Sequence, residues 1–174
     1  YVFTLDGANH EIRGLNAVKS LFGTVGGASE IKDLTVSGVL NAANGSVGAI
    51  TGYLQGGTIR NCVSKVAITA AGSNNSSIGG IAGYMGNAKI INCVHNGAIT
   101  AEGDQVGGIG GCMGDNAAEG SGCYNTGAVS AASEVGGILG GSTYTGTVSN
   151  CYNTGAITGT GAHVGGVIGE SAGN

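Results

Sequence analysis

Apolar and polar positions alternate along this chain in short runs, and the runs recur at a nearly constant interval. The block Val135-Gly136-Gly137-Ile138-Leu139-Gly140 returns as Val164-Gly165-Gly166-Val167-Ile168-Gly169 and as Val106-Gly107-Gly108-Ile109-Gly110-Gly111. Earlier it reads Ile78-Gly79-Gly80-Ile81-Ala82-Gly83, then Val47-Gly48-Ala49-Ile50-Thr51-Gly52. The first residues of these blocks lie 31, 28, 29 and 29 positions apart. Self-similarity at such a period marks a stack of equal supersecondary units.

Each unit carries two further apolar clusters. One pairs an apolar residue with Cys or Leu three positions on: Ile31 and Leu34, Ile59 and Cys62, Ile90 and Cys93, Val148 and Cys151, and weakly Gly120 and Cys123. The other lies six positions later, at Leu40, Ile68, Ile99, Val129 and Ile157. Helix is a poor reading, because each glycine costs about 1 kcal/mol relative to Ala in a helix interior and no 3.6-residue stripe persists. Three short strands per unit predict an all-β, single-stranded parallel β-helix, a β-solenoid of five to six coils of about 29 residues. Parallel strands of successive coils stack roughly 4.8 Å apart.

Stacking brings like positions together. Leu34, Cys62, Cys93, Cys123 and Cys151 are expected as one inward column, and the Leu40–Ile157 series as a second. The series from Val47 to Val164 makes a third, and Ile50, Ile81, Ile109, Ile138 and Val167 a fourth. The glycine pairs let the wall bend without a Cβ. Asn61, Asn92 and Asn150, with Asp33 at the equivalent place, are expected to form a hydrogen-bonded ladder. Asn125 and Asn153 are expected to form another, which His95 joins as a structural polar residue.

Residues 1–174 read as one repeat domain: an opening segment, 1–26, and the coils, 27–174. In the opening segment Tyr1-Val2-Phe3-Thr4-Leu5 alternates as a strand. A turn is expected at Asp6-Gly7-Ala8-Asn9, a second strand at Glu11–Leu15, and a degenerate copy of the glycine block at Leu21-Phe22-Gly23-Thr24-Val25-Gly26.

Composition narrows the function classes. The 174 residues include 38 Gly, no Pro and no Trp, with 9% charged and 41% apolar; that apolar share argues against disorder. All six Lys and Arg lie between Arg13 and Lys89, and from Ile90 onward there are six acids and no Lys or Arg. No basic patch with interleaved aromatics exists, which excludes the usual nucleic-acid footprint. No apolar run has the length of a membrane span, so no membrane insertion is expected. The chain starts at Tyr1 in what already reads as mid-structure and is taken as a piece excised from a larger protein.

The Val-Gly-Gly-Ile/Val-x-Gly blocks following Asn150-Cys151-Tyr152-Asn153-Thr154-Gly155-Ala156-Ile157-Thr158 and its copies resemble the GLUG motif of bacterial surface proteins. Leu5-Asp6-Gly7-Ala8-Asn9-His10-Glu11-Ile12-Arg13-Gly14-Leu15 resembles the opening of the same proteins. The departures are Ala49, in place of the second glycine, and Gly122, in place of the Asn before Cys123. The resemblance implies a right-handed parallel β-helix in an extracellular or cell-surface bacterial protein. Such repeats occur in adhesin-like proteins and beside the peptidase domain of some immunoglobulin A proteases. Partners implied are host extracellular protein or glycan, and other domains of the same chain.

Chemistry is sparse. His10-Glu11 begins like His-Glu-x-x-His, but position 14 is Gly, so no catalytic zinc motif is present. Cys62, Cys93, Cys123 and Cys151 lack the Cys-x₂₋₄-Cys spacing of zinc sites; Leu34 in their column argues for a buried, reduced, structural core ladder. The odd count of five Cys argues against a disulfide framework. Cys112 falls outside the column and is expected to be partly exposed. His163 aligns with Glu134 and Gln105 and is expected at the surface. Asn44-Gly45-Ser46 and Asn74-Asn75-Ser76 match the glycosylation pattern. Glu102, Asp104, Asp115, Glu119 and Glu134 lie in separate loops, without the converging carboxylates that glycoside cleavage needs. No enzyme activity, cofactor or metal is therefore expected. The expected function is a non-catalytic module that presents itself, or adheres, through Tyr124, Tyr152, Tyr144, Asp104 and Glu134. The rivals are a polysaccharide lyase or hydrolase-like β-helix and a spacer beside a peptidase domain.

Overall fold

The computed structural model describes residues 2–72 and 76–171; Tyr1 and the Asn74-Asn75 pair of the second glycosylation pattern lie outside them. The described residues form a β-solenoid of about six turns with three sheets of 13, 5 and 6 strands and no helix. One middle turn shows the plan. Lys89–Ile91, Val94–His95 and Ile99–Ala101 run along the first face, Asp104–Gly107 crosses the second, and Gly110–Met113 the third. Each strand pairs in parallel with its equivalents one turn below and above. Parallel pairing follows from the topology, since every turn travels in the same direction.

The expected columns are in register. Leu40, Ile68, Ile99, Val129 and Ile157 are successive Cα partners. So are Val47, Ile78, Val106, Val135 and Val164. Burial is complete in the middle turns and relaxes in the last, where Ile157 is half-buried and Val164 exposed. A fifth inward column, Val25, Leu54, Met85 and Met113, lines the third face; its changing residue types hid it in the sequence. Full burial of each such side chain contributes roughly 1.5–3 kcal/mol, and the sum comes from length along the axis instead of width.

The two departures from the repeat have physical causes. A Cβ at Gly80, Gly108 or Gly137 would overlap the carbonyl oxygen of Gly108, Gly137 or Gly166 and the side chain of His95, Asn125 or Asn153 respectively. In this register Ser64 stands one turn below His95. Ala49, one turn below Gly80, therefore faces the small Ser64, which leaves room for its methyl. Gly122 sits at φ +64°, in a column with Asp33, Asn61, Asn92 and Asn150 at φ 51–53°. That left-handed conformation is tolerated best by Gly, Asn and Asp, so the Asn run before the cysteines is a backbone requirement first and a ladder second. Asn61 does donate to Asp33 Oδ1 at 3.0 Å, but Gly122 interrupts the series.

The opening segment differs from expectation. Thr4–Ala17 is one strand paired with Glu30–Ala42, and Asp6–Asn9 is a bulge inside it, where the register shifts between Asp6 and His10. Ala8 and Asn9 have positive φ, the Ala8 N–H donates to Asp6 Oδ1 at 2.8 Å, and Asp6 is tied to Lys32 Nζ at 2.7 Å. The second turn supplies a template on which both halves stay paired, so a locally turn-like sequence becomes a bulge. Phe22–Gly26 pairs with Thr51–Gln55, which places Leu21 at the level of Ile50, in the second half of the glycine block.

Candidate functional site

The first face carries the exposed aromatics. Tyr124 and Tyr152 are Cα partners one turn apart. Each follows an inward cysteine, and strand alternation turns it outward. Their rings stack with centroids 4.9 Å apart and planes 4° apart; Tyr124 is half-buried and Tyr152 is 53% exposed. Tyr144 is equally exposed, but it lies past the strand Leu139–Ser142 of the third face, where its electrostatic neighbour is Tyr84. The structure thus brings two of the three candidate tyrosines together.

Asp104 and Glu134 lie at the corner between the first and second faces; burial raises the proton affinity of Glu134, and Glu170 and then Asp104 add to it. The other acids of the second half are separately engaged. Glu102 accepts from the Gly72 N–H at 2.7 Å, Asp115 from the Ala117 N–H at 3.4 Å, and Glu119 pairs with Lys89 at 2.9 Å and with Ser121 at 3.0 Å. His163, half-exposed, meets Glu170 Oε2 through Nδ1 at 3.3 Å. Glu170 had no place among the sequence candidates. It is the Cα partner of Gly141, which pairs with Cys112, so no acid of its column repeats to reveal it. Glu134, His163 and Glu170 each offer a ligand atom within 4.8 Å of the others.

The cysteine column is internal. Cys62, Cys93 and Cys123 are fully buried, Cys151 is half-buried, and all are free thiols. Each thiol donates to the carbonyl two residues before it, at 3.2–3.3 Å. The Cys93 N–H approaches Cys123 Sγ at 3.4 Å, and the Cys123 N–H approaches Cys151 Sγ at 3.4 Å. Burial pushes the Cys93 thiol well up, so it stays protonated and unreactive. Cys112 corrects the expectation of exposure: it is only 3% exposed. Its side chain points outward, but Ser77 and Thr143 close over it and bond to the thiol, and burial raises its pKa.

Beside this column runs a second polar one: Ser64, His95, Asn125 and Asn153. Asn125 Nδ2 donates to Asn153 Oδ1 at 2.8 Å and to its own Gly127 carbonyl at 2.7 Å. His95 takes the same place, with Nδ1 3.0 Å from Ser64 Oγ and Nε2 without a partner; burial lowers its pKa to about 4. These groups stiffen the wall, and Ser64, His95 and Asn125 are closed off from solvent. The surface carries shallow depressions. One, about 250 Å³, is lined by Lys19, Thr24, Asn44, Ser46 and Tyr53, and another by Gln55, Tyr84, Asn87 and Asp115.

Residues 131–158 match the GLUG motif. This stretch runs from Ala131 at the end of one first-face strand, across the second and third faces, to Thr158 on the first face of the next turn, so the motif covers about one whole turn. The chain also superposes on the crystal structure of a candidate immunoglobulin A1 protease from Bacteroides ovatus, with a TM-score of 0.66 and 21% identity. The match covers 90% of this chain and 62% of that one. At that identity the likeness establishes the shared solenoid fold. No curated protein matches the chain.

Proposed function

We propose that this chain is a non-catalytic, extracellular module of a bacterial surface protein that adheres to glycan, or to a glycan-bearing host protein, through the Tyr124–Tyr152 strip. The observation that carries this is the pair of parallel, outward tyrosine rings on paired strands of the first face. Aromatic rings combine apolar area with a polar hydroxyl, and a solenoid presents them at fixed spacing along a long surface. Each ring is held by its stacking on the other, which lowers the side-chain entropy lost on binding. The GLUG motif and the fold shared with a candidate immunoglobulin A1 protease support a surface role, and a spacer role beside a catalytic domain shares the same architecture.

A carbohydrate-cleaving reading is disfavoured by geometry. Glycosidases place their two carboxyl groups about 5–9.5 Å apart on either side of the scissile bond. Glu134 and Glu170 converge on one another and on His163 within 4.8 Å, closer than that pair spacing. Glu102 and Asp115 stand in separate loops and Glu119 on the strand Glu119–Ser121, each with its own partner.

The purified domain is screened on a glycan and extracellular-matrix array, alongside Tyr124→Ala, Tyr152→Ala and the double variant. A hit that weakens at least tenfold in the double variant supports the proposal. Binding unchanged in the double variant moves the site elsewhere, and a blank array favours the spacer role. Turnover of polysaccharide or casein, abolished by one Asp or Glu substitution, overturns the non-catalytic reading.

A further inference from the structure

We infer that Glu134, His163 and Glu170 form a binding site for one divalent transition-metal ion of the zinc type. Three separate segments supply the ligands. Glu134 stands at the bend before Val135–Gly136, and His163 occupies the same place one turn on, since Val135 and Val164 are Cα partners. Glu170 reaches the pair from the third face, on the strand Ile168–Ser171.

The distances suit a small ion. Zinc bound by imidazole nitrogen and carboxylate oxygen at about 2.0–2.2 Å in tetrahedral geometry needs ligand atoms roughly 3.3–3.6 Å apart. His163 Nδ1 and Glu170 Oε2 are already 3.3 Å apart. Glu134 completes the triangle within 4.8 Å, a gap that a side-chain rotation closes. The remaining position opens to solvent, because His163 is half-exposed.

Space is kept for the Glu134 carboxylate. A Cβ at Gly141 would lie 2.8 Å from Glu134 Oε2 and 3.3 Å from Gln105 Cγ. The turns below carry Cys112 and Tyr84 at that position; only at the level of the carboxylate pair is the side chain missing. A second layer orients the ligand. Ser77 Oγ donates to Gln105 Oε1 at 3.1 Å, which leaves the Gln105 amide N–H groups to donate to Glu134.

Charge points the same way. No Lys or Arg follows Lys89 in the sequence. The Glu134 and Glu170 carboxylates converge within 4.8 Å with one imidazole between them, and a divalent cation relieves their repulsion. One imidazole with two carboxylates selects zinc, nickel or manganese over calcium, which takes six to eight oxygen ligands.

Isothermal titration of the chelator-treated protein with ZnCl₂ tests this, using His163→Ala, Glu170→Gln and the double variant, with CaCl₂ as control. One zinc per chain is expected, with at least tenfold weaker binding in each single variant and none in the double. Zinc should raise the Tm of the native protein and leave that of the double variant unchanged. His163 and Glu170 are surface residues, so the variants fold, as circular dichroism would verify. Three results overturn the site: no zinc uptake by the native protein, equal affinity in the double variant (which would move the ion to the thiols), or calcium binding as tight as zinc.

Discussion

Tyr152 lies flat on Tyr124, one turn below it, with ring centroids 4.9 Å apart and planes 4° apart. The contact joins two turns on the outer surface, where no core packing enforces it. Cross-strand aromatic pairs contribute about 0.5–1 kcal/mol beyond the area they bury. A double-mutant cycle on Tyr124→Ala and Tyr152→Ala, read by urea unfolding, should give a coupling energy of that size. Strict additivity would show that the rings stack without stabilising each other.

The glycine block should be intolerant in a graded way. Gly137→Ala forces a Cβ against the Gly166 carbonyl and Asn153, and should cost about 3 kcal/mol. Gly166→Ala meets nothing within 4 Å and should cost under about 1 kcal/mol. Ala49→Gly should also be mild. Thermal unfolding of the three variants ranks them; equal losses at Gly137 and Gly166 would contradict the packing account.

His95 should make the domain sensitive to mild acid. Its folded pKa is lowered from 6.5 to about 4 by burial. The folded protein therefore refuses a proton that the unfolded chain accepts below about pH 6.5. Its contribution is intact at neutral pH and is lost progressively as pH falls from about 6.5 to 4, by about 3 kcal/mol in total. His95→Asn removes the orphan Nε2 and lets residue 95 bond to Gly97 through both amide atoms, as Asn125 does to Gly127. It should raise stability by about 1 kcal/mol at pH 7 and flatten the slope between pH 6.5 and 4. An unchanged slope in the variant would locate the acid sensitivity elsewhere.

Thiol labelling should follow depth. Iodoacetamide on the native protein is expected to modify Cys151 first and to spare Cys62, Cys93 and Cys123 until denaturant is added, with no disulfide found by mass spectrometry. Rapid native labelling of Cys93 would refute the buried ladder.

Gly122 should accept Asn and reject branched residues. At φ +64°, Gly122→Asn matches its neighbours Asn92 and Asn150 and should change stability by less than about 1 kcal/mol. Gly122→Val should cost about 2 kcal/mol or more, because a β-branched residue strains the left-handed region. Chemical denaturation of both variants gives the comparison.

Much of the fold was legible because stacking couples each residue to its own repeats. Ile99 lies between Ile68 and Val129 and shares their surroundings, so all three carry similar side chains, and the period exposes the column. The same logic revealed the Cys column and the outward placement of Tyr124 and Tyr152. It missed Cys112, whose cover comes from Ser77 and Thr143, residues without a common pattern.

The sequence by itself determined the repeat length, the stacked-strand architecture, most of the inward columns and the scarcity of catalytic motifs, since these are properties of positions that recur; the five strand segments of each turn from Lys89 onward, in place of three, came from the structure. Tertiary structure alone decided the features that occur once. It kept Asp6–Asn9 inside a paired strand, because the neighbouring strand offers hydrogen bonds on both sides of the bulge. It also carried Glu170 to Glu134 and His163. Glu134 and His163 hold the same place on successive turns while Glu170 comes from another face, and the sheet register together with the missing side chain at Gly141 sets their meeting point. No local pattern encodes that meeting, because the turns between them must first fold and stack.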